Sequence, residues 1–451
     1  LSSTARHLFG TDGLRARFGD APLDRPTVTS LAAHLAAMLR EQATEHGAPL
    51  VVLGGDTRES TSVICQWLAE GLAAGGARVE HAGVIPTPGV AWLVRELGAA
   101  AGAVVSASHN PWPDNGIKLI DPRGFKWSEA AEAALERHLE GGRVEVPALA
   151  EELPVDASLR GRYLDRLAAT VPSLEGLRVV LDTGNGAASS YAAELFERLG
   201  AAVIPLHGAP DGRNVNAGCG STAPAEMAAR VVAEGADLGA AFDGDADRCI
   251  LADERGEVRD GDAILYLWAT ALHRQGRLVP PRIVATTMSN LGLERALARE
   301  GIGIARCDVG DRHVVETLQR EGLALGGEQS GHVVHLELSS TGDGLLTAVQ
   351  AAAIVAQGDL PLSGQLAGFR RYPQILQNVR VARKPDLLAL PRVAAAARAV
   401  EEKLGADGRL VLRYSGTEPL ARVMIEGPDQ PSIEALAGEL AGAIRDEIGL
   451  P

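Results

Sequence analysis

Cysteine is scarce in this chain and never closely paired. Cys65, Cys219, Cys249 and Cys307 are the only four in 451 residues and show no Cys-x-x-Cys spacing. That argues against a zinc ribbon and against a disulfide scaffold, and it fits a reducing cytoplasm. Positive charge is also in deficit: 43 Lys and Arg stand against 58 Asp and Glu, a net charge of −15. An acidic surface repels the phosphate backbone that a nucleic-acid binder must attract, so no nucleic-acid partner is expected. No stretch approaches the roughly 18 apolar residues needed to cross a bilayer. The opening LSSTARHLFGTDG lacks the charged-then-apolar pattern of a secretion signal. A soluble, cytoplasmic protein without a membrane partner is expected. The 52 glycines and 24 prolines are scattered, not run together, so disorder is not the default.

What is present points to several domains. A chain of this length exceeds the usual size of one hydrophobic core. Short apolar runs that end in polar, Gly-rich loops alternate with Ala/Leu-rich helical stretches: Pro49 to Leu53, a helix near Ser62 to Ala74, then Ala103 to Val105. This is the pattern of an α/β fold. It recurs three times. Strand-like runs end at Asp56, Asp182 and Thr287, and each is followed by a helix and then a second apolar run, whose loops begin near Ser106, Asp243 and Glu328. Loops beyond the carboxyl ends of strands carry the working residues of open α/β sheets, so three such units can aim three loops at one cleft. After Phe369 the pattern changes to Ile375 to Val381, a helix around Leu388 to Lys403, strands Leu410 to Arg413 and Ala421 to Ile425, and a closing helix, which predicts a small α+β domain. The expected division is three similar α/β domains, 1–155, 156–255 and 256–368, and an α+β domain, 369–451.

Five loops carry candidate chemistry. SASHNP, Ser106 to Pro111, offers a serine beside a histidine after a buried-looking strand; it reads equally as a turn fixed by Pro111. Asp114, Asn115 and Gly116 form a tight-turn signal that could fold Lys118 back toward Ser108, unless Lys118 is a solvated strand lysine. AFDGDADRC sets Asp243, Asp245 and Asp247 at every second position, so a turn at Gly244 can converge three carboxylates on one hard cation. An EF-hand is disfavoured because its sixth position needs Gly where this chain has Arg248, and the flanks Leu238 to Phe242 and Cys249 to Ala252 read as strands. Mg²⁺ is expected ahead of Ca²⁺, since three ligands leave room for water and phosphate oxygens. GGEQSGH supplies Glu328, Ser330 and His332, a set suited to sugar hydroxyls or to an ordinary polar surface loop. RYSGTEP supplies Arg413, Ser415, Gly416 and Thr417, with Arg422 beyond, and makes either a phosphate cradle or a plain hairpin. Near the start, FGTDGLR places Arg15 on a Gly-containing loop.

In this order and at these separations, FGTDGLR, SASHNP, DGDADR, GEQSGH and RYSGTEP resemble the alpha-D-phosphohexomutases through almost the whole chain. The resemblance implies four domains around one cleft. It implies that Ser108 is a phosphoserine, that Asp243, Asp245 and Asp247 hold one Mg²⁺ with an oxygen on Ser108, and that Arg248 contacts phosphate. Arg15, His109 and Lys118 would surround the phosphoryl group, Lys118 as a candidate acid/base. Glu328, Ser330 and His332 would hold sugar hydroxyls, and Arg413, Ser415, Gly416, Thr417 and Arg422 the phosphate not in transfer. It further implies a sugar-phosphate substrate, a hexose 1,6-bisphosphate activator, and a monomer or homodimer. GEQSGH, MSNLGLE (288–294), VGDR (309–312), NVNAGCGST (214–222) and TGDG (341–344) are similar to the branch acting on glucosamine phosphate, with glucose or mannose phosphate as the alternative substrate. Tyr414 stands where that branch usually has proline, and Ala16 replaces a common glycine.

Overall fold

The computed structural model describes residues 8–10, 12–42, 47–140, 142–415 and 418–450. The first sheet is built from β1 (Leu14–Arg17), β2 (Leu50–Gly55), β3 (Arg78–Val84), β4 (Ala101–Val105) and β5 (Asp114–Ile120), in the order β1-β5-β4-β2-β3. The second contains β6 (Arg178–Asp182), β7 (Ala202–Leu206), β8 (Leu238–Phe242), β9 (Cys249–Asp253) and β10 (Val258–Arg259), in the order β10-β9-β8-β6-β7. The third contains β11 (Arg282–Thr286), β12 (Gly303–Cys307), β13 (Leu325–Gly327) and β14 (Val333–His335), in the order β12-β11-β13-β14.

The three sheets share one wiring. In each, a first strand pairs in parallel with the second and the third, and a fourth returns antiparallel to the third. The central strands β4 and β8, with sequences AGAVV and LGAAF, are buried at every position, as strands covered on both faces by helices must be. The boundary expected near residue 255 falls inside the second sheet, because β10 still pairs with β9, Val258 opposite Ala252.

One contiguous apolar core runs from Val52 of the first sheet through Leu159, Tyr191 and Phe242 to Leu345 and Leu366. Helix Ser158–Ala168 is the bridge: Tyr163 lies in this core and its hydroxyl donates to Asp343 Oδ2 at 2.8 Å. The last unit is different. β15 (Gln374–Arg380), β16 (Arg409–Tyr414) and β17 (Leu420–Glu426) form an antiparallel sheet in the order β15-β17-β16, backed by helices Pro391–Leu404 and Gln430–Ile448, with a core of its own. Its joint to the third domain is polar. Buried Glu426 accepts from Asn290 Nδ2 (3.0 Å), Leu291 N (3.2 Å) and Arg409 Nε (2.9 Å), and Arg409 Nη2 also donates to Ser289 O at 2.7 Å. The motif MSNLGLE thus contributes to an interdomain joint. No helix among the described residues is long and apolar enough to cross a membrane.

Candidate active site

The shared wiring puts three loops in equivalent places. SASHNP links β4 to β5, DGDADR links β8 to β9, and EQSG links β13 to β14. The loops then lock together backbone to backbone. Cys249 N donates to Gly331 O (3.0 Å), and Gly344 N to Ala246 O (2.9 Å). A Cβ on Gly244 would lie 2.6 Å from Ser108 O, so only glycine lets the acidic loop approach the serine loop this closely.

The turn expected at Asp114, Asn115 and Gly116 is not formed. These residues open β5, with Asn115 opposite Ala16 and Gly116 opposite Arg15. Gly116 serves close approach instead: a Cβ there would meet Leu14 O and Ser106 O at 2.7 Å. Ala16 sits in this regular pairing, where no glycine is needed. The chain reverses earlier, where Asn110 N donates to Ala107 O (3.1 Å) and Ser108 takes φ +52°, a left-handed conformation uncommon for a residue with a side chain.

Holding Ser108 in that conformation is the work of Arg58 and Asn216, neither of which was singled out from sequence. Arg58 is buried and donates to four backbone carbonyls of the loop: Ser108 (2.9 Å), Asn110 (2.8 Å), Pro111 (2.6 Å) and Asp114 (3.0 Å). Its charge is matched by Asp56, whose Oδ2 accepts from Arg58 Nε (2.8 Å) and from Ser106 Oγ (2.6 Å). Asn216 Nδ2 adds a second donor to Ser108 O at 2.9 Å. The only hint in the sequence was Asp56-x-Arg58 directly after a strand.

The Ser108 hydroxyl is 1% exposed and donates to Asp243 Oδ2 at 2.6 Å. One ligand atom from each of Asp243, Asp245 and Asp247 lies within 4.8 Å of the others. Burial first, then Asp247 and Asp245, push the Asp243 carboxyl up to about 8. Asp245 Oδ1 and Asp247 Oδ1 are buried without a hydrogen-bond partner. Orphaned carboxylate oxygens converging beside a hydroxyl fit a hard divalent cation such as Mg²⁺. The flanking elements are β8 and β9, not helices, so the EF-hand alternative lapses.

Cationic side chains ring this cluster. Lys118 is 2% exposed, not solvated: its Nζ is 2.8 Å from Asp245, 3.5 Å from Asp12 and 3.6 Å from Asp247. Burial alone would lower its pKa, but those three carboxylates hold it well above the usual lysine value. Asp12 also pairs with Arg15 and with Lys126 (2.5 Å), and Lys126 pairs with Asp311 of VGDR; Asp12, Lys126 and Asp311 were not among the sequence candidates. Arg248 Nη1 lies 3.2 Å from His109 Nδ1, which is 3.5 Å from Ser108 Oγ. Burial and then Arg248 lower the His109 pKa.

Glu328, Ser330 and His332 do not share one face. Glu328 is half-buried and accepts from Gly310 N at 3.0 Å, while Ser330 is exposed. His332 turns inward, 3.7 Å from Asp247 Oδ1, with Gly342 N donating to its Nε2 at 3.1 Å. In the last domain Arg413 faces Arg422 across β16 and β17, a like-charge pair that is unfavourable without an anion between them. Ser415 Oγ accepts from Glu418 N (3.3 Å) and Arg422 (3.4 Å), and Lys384, missed from sequence, donates to Ser415 O at 2.7 Å. Gly416 and Thr417 lie outside the described residues. Tyr414, the departure from proline, anchors this strand end through its hydroxyl to Pro385 O at 2.7 Å.

Comparison with known proteins follows the same division. Residues 6–144, 161–256 and 260–372 match the phosphoglucomutase/phosphomannomutase alpha/beta/alpha domains I, II and III, and residues 376–443 match the C-terminal domain of that family. A phosphoglucosamine mutase of Solibacter usitatus is 45% identical over 448 residues, covering 99% of this chain and all of that one. Among solved structures, a phosphoglucomutase/phosphomannomutase family protein from Burkholderia thailandensis superposes with a TM-score of 0.81 at 23% identity, covering 99% of this chain and 100% of that one. An Aspergillus fumigatus N-acetylphosphoglucosamine mutase, in complex with GlcNAc-6P and magnesium, does so at 0.63 and 17%, covering 97% and 95%. With four domain matches in order and a full-length relative at this identity, the chain belongs to the phosphoglucomutase/phosphomannomutase family, the alpha-D-phosphohexomutases.

Proposed function

We propose that this chain interconverts glucosamine 6-phosphate and glucosamine 1-phosphate through a phosphorylated Ser108 and a 1,6-bisphosphate intermediate. The observation that carries the reading is the Ser108 hydroxyl, held 2.6 Å from Asp243 among three buried carboxylates. The choice of amino sugar rests on relatives such as those of Solibacter usitatus and Myxococcus xanthus, phosphoglucosamine mutases at 45% and 43% identity over essentially the full chain.

The 1- and 6-oxygens of a hexose are too far apart for direct transfer, so the enzyme carries the phosphoryl group itself. Phosphorylated Ser108 gives its phosphoryl group to the free hydroxyl of the substrate: the Oγ–P bond breaks as a bond from the sugar oxygen to phosphorus forms. The sugar then turns end over end, and its other phosphate returns to Ser108. His109 and Lys118 border the exchange: His109, its pKa lowered, would take the hydroxyl proton, and Lys118, held protonated by its carboxylates, would supply one to the departing Ser108 oxygen, while Arg15 and Arg248 add positive charge. Asp243, Asp245, Asp247 and Ser108 would hold Mg²⁺, which would supply positive charge to offset that of the phosphoryl group. Glu328 and Ser330 face the sugar, with His332 behind them bracing Asp247. Arg413, Ser415 and Arg422, with Gly416 and Thr417, hold the phosphate at rest, and a hexose 1,6-bisphosphate primes Ser108.

The test is isomerisation of glucosamine 6-phosphate, glucose 1-phosphate and mannose 1-phosphate side by side, with Mg²⁺ and a priming hexose bisphosphate. The highest kcat/KM is expected for the amino sugar. Preference for glucose or mannose would move the substrate assignment and keep the chemistry, whereas release of free phosphate without isomerised sugar would replace the mutase reading by a phosphatase.

Asp245→Asn tests the metal cluster. It removes one carboxylate charge and one partner of Lys118 and of Thr87, whose hydroxyl donates to Asp245 Oδ2 at 2.6 Å. The Mg²⁺ concentration giving half-maximal activity is expected to rise at least about tenfold. An unchanged Mg²⁺ dependence would remove Asp245 from the ligand set.

A further inference from the structure

A second group of metal-ligating side chains lies in the second domain, away from the acidic loop. Asp182 ends β6, His207 follows β7 on the neighbouring strand, and Cys219 belongs to NVNAGCGST, a motif that the mutase chemistry leaves without a role beyond Asn216. One ligand atom from each of the three lies within 4.8 Å of the others. Ligands of a tetrahedral zinc ion, at about 2.0–2.3 Å from the metal, lie roughly 3.3–3.8 Å from one another, so only a small closure separates this arrangement from a binding site.

Three further observations suit these side chains to holding a cation. First, His207 Nδ1 is 3.0 Å from Asp182 Oδ1, yet it is buried and off the line of any hydrogen bond. Two electron-pair donors face one space. Second, the other ring nitrogen, Nε2, is 3.4 Å from Glu226 Oε2, the carboxylate partner that metal-bound imidazoles commonly have. Third, the internal repeat supplies a contrast. Asp56, directly after β2, and Asp182, the last residue of β6, both open an Asp-Thr dipeptide at the carboxyl ends of equivalent strands, but at the position of Arg58, which neutralises Asp56, the second domain has Gly184. Asp182 is left with two backbone N–H donors, Gly184 and Gly220, both at 2.9 Å. The backbone of His207 is meanwhile held at φ +47° by Thr183 Oγ1 and Asn185 N, each donating to its carbonyl at 2.7 Å. A residue kept in that sparsely populated region is one whose side-chain direction is fixed by its surroundings.

We propose that Asp182, His207 and Cys219 bind a borderline-soft divalent cation, Zn²⁺ foremost, in a site separate from that of Mg²⁺. Thiolate and imidazole select such a cation over Mg²⁺, which prefers oxygen alone. Binding releases the Cys219 proton to solvent and takes the His207 tautomer protonated at Nε2, facing Glu226. The ion would tie the carboxyl ends of β6 and β7 to the segment that carries Asn216, and so stand behind the donor that holds Ser108 O.

The full-length protein, stripped with chelator and returned to saturating Mg²⁺, is titrated with Co²⁺. One equivalent is expected to bind with a sulfur-to-cobalt charge-transfer band in the near ultraviolet, which Zn²⁺ then erases. Cys219→Ser is expected to abolish the band and Cys307→Ser to leave it. Glu226→Gln, at a side chain 64% exposed and so harmless to folding, is expected to weaken Co²⁺ binding about 10–100-fold. Absence of the band in the wild type, its survival in Cys219→Ser, or its loss in Cys307→Ser would overturn the site. If Cys219→Ser fails to fold by circular dichroism, Glu226→Gln decides, and an unchanged affinity there overturns the proposal.

Discussion

Ser108→Ala is expected to lower steady-state isomerisation by on the order of 10⁴-fold or more, the scale on which a nucleophile that acts as a unit with its neighbours is lost. The deletion removes the oxygen that carries the phosphoryl group and its hydrogen bond to Asp243 Oδ2, but none of the contacts that shape the loop backbone. Ser108 O, which Arg58 and Asn216 grip, is a backbone atom and remains. The melting temperature should therefore stay close to that of the wild type while turnover disappears. Mass spectrometry after priming with a hexose bisphosphate should find one phosphoryl group on the wild type and none on the variant. Near-normal turnover by Ser108→Ala, or a phosphoryl group still attached to it, would sink the phosphoserine scheme.

Arg58→Met is expected to be the most destabilising single change in the first domain. It leaves Asp56 buried without its cationic partner and removes the guanidinium donor from the carbonyls of Ser108, Asn110, Pro111 and Asp114, of which Ser108 O keeps only Asn216. Breaking one side of a buried ion pair typically costs about 3–5 kcal/mol. The cost should appear in urea as an earlier first transition, since a chain with a separate C-terminal core need not unfold in one step. Turnover should fall with it, because the left-handed turn at Ser108 loses its clamp. Arg58→Lys should recover little: an ammonium is a point donor and cannot span four carbonyls as a planar guanidinium does. The double variant Asp56→Asn/Arg58→Met should regain part of the stability by removing the orphaned charge. A first transition unshifted in Arg58→Met would mean that the loop is held by other contacts.

The threefold α/β layout was legible because it is written in hydrophobic runs, and strands such as β4 and β8 are apolar at every position. The acidic loop was legible for a similar reason, since three carboxylates at alternate positions have few other uses. What escaped were residues whose meaning lies in a distant partner. Arg58 and Ser108 are fifty positions apart and Asn216 and Ser108 more than a hundred, so nothing local marks them as one device. Asp114–Gly116 was misread because the same three residues that favour a tight turn also suit a strand whose neighbours' carbonyls leave no room for a Cβ. The inward turn of His332 was equally hidden: Asp247, the residue it faces, comes from another domain's loop.

The polar joint at the root of the last domain sets a lever. Arg409 and Glu426 sit at one end of the β16–β17 pair, and the facing arginines Arg413 and Arg422 lie four residues along it. At about 3.3 Å per residue, that is an arm of roughly 13 Å from pivot to grip. A tilt of about 10° at the joint would carry the grip roughly 2 Å, nearly the length of a hydrogen bond, while the antiparallel ladder rides along unstrained. The fulcrum is a set of largely buried charged and amide groups, hydrogen-bonded directly across the joint rather than packed as an apolar seam. The phosphate grip proposed for Arg413 and Arg422 is thereby geared to small rotations at a joint four residues away.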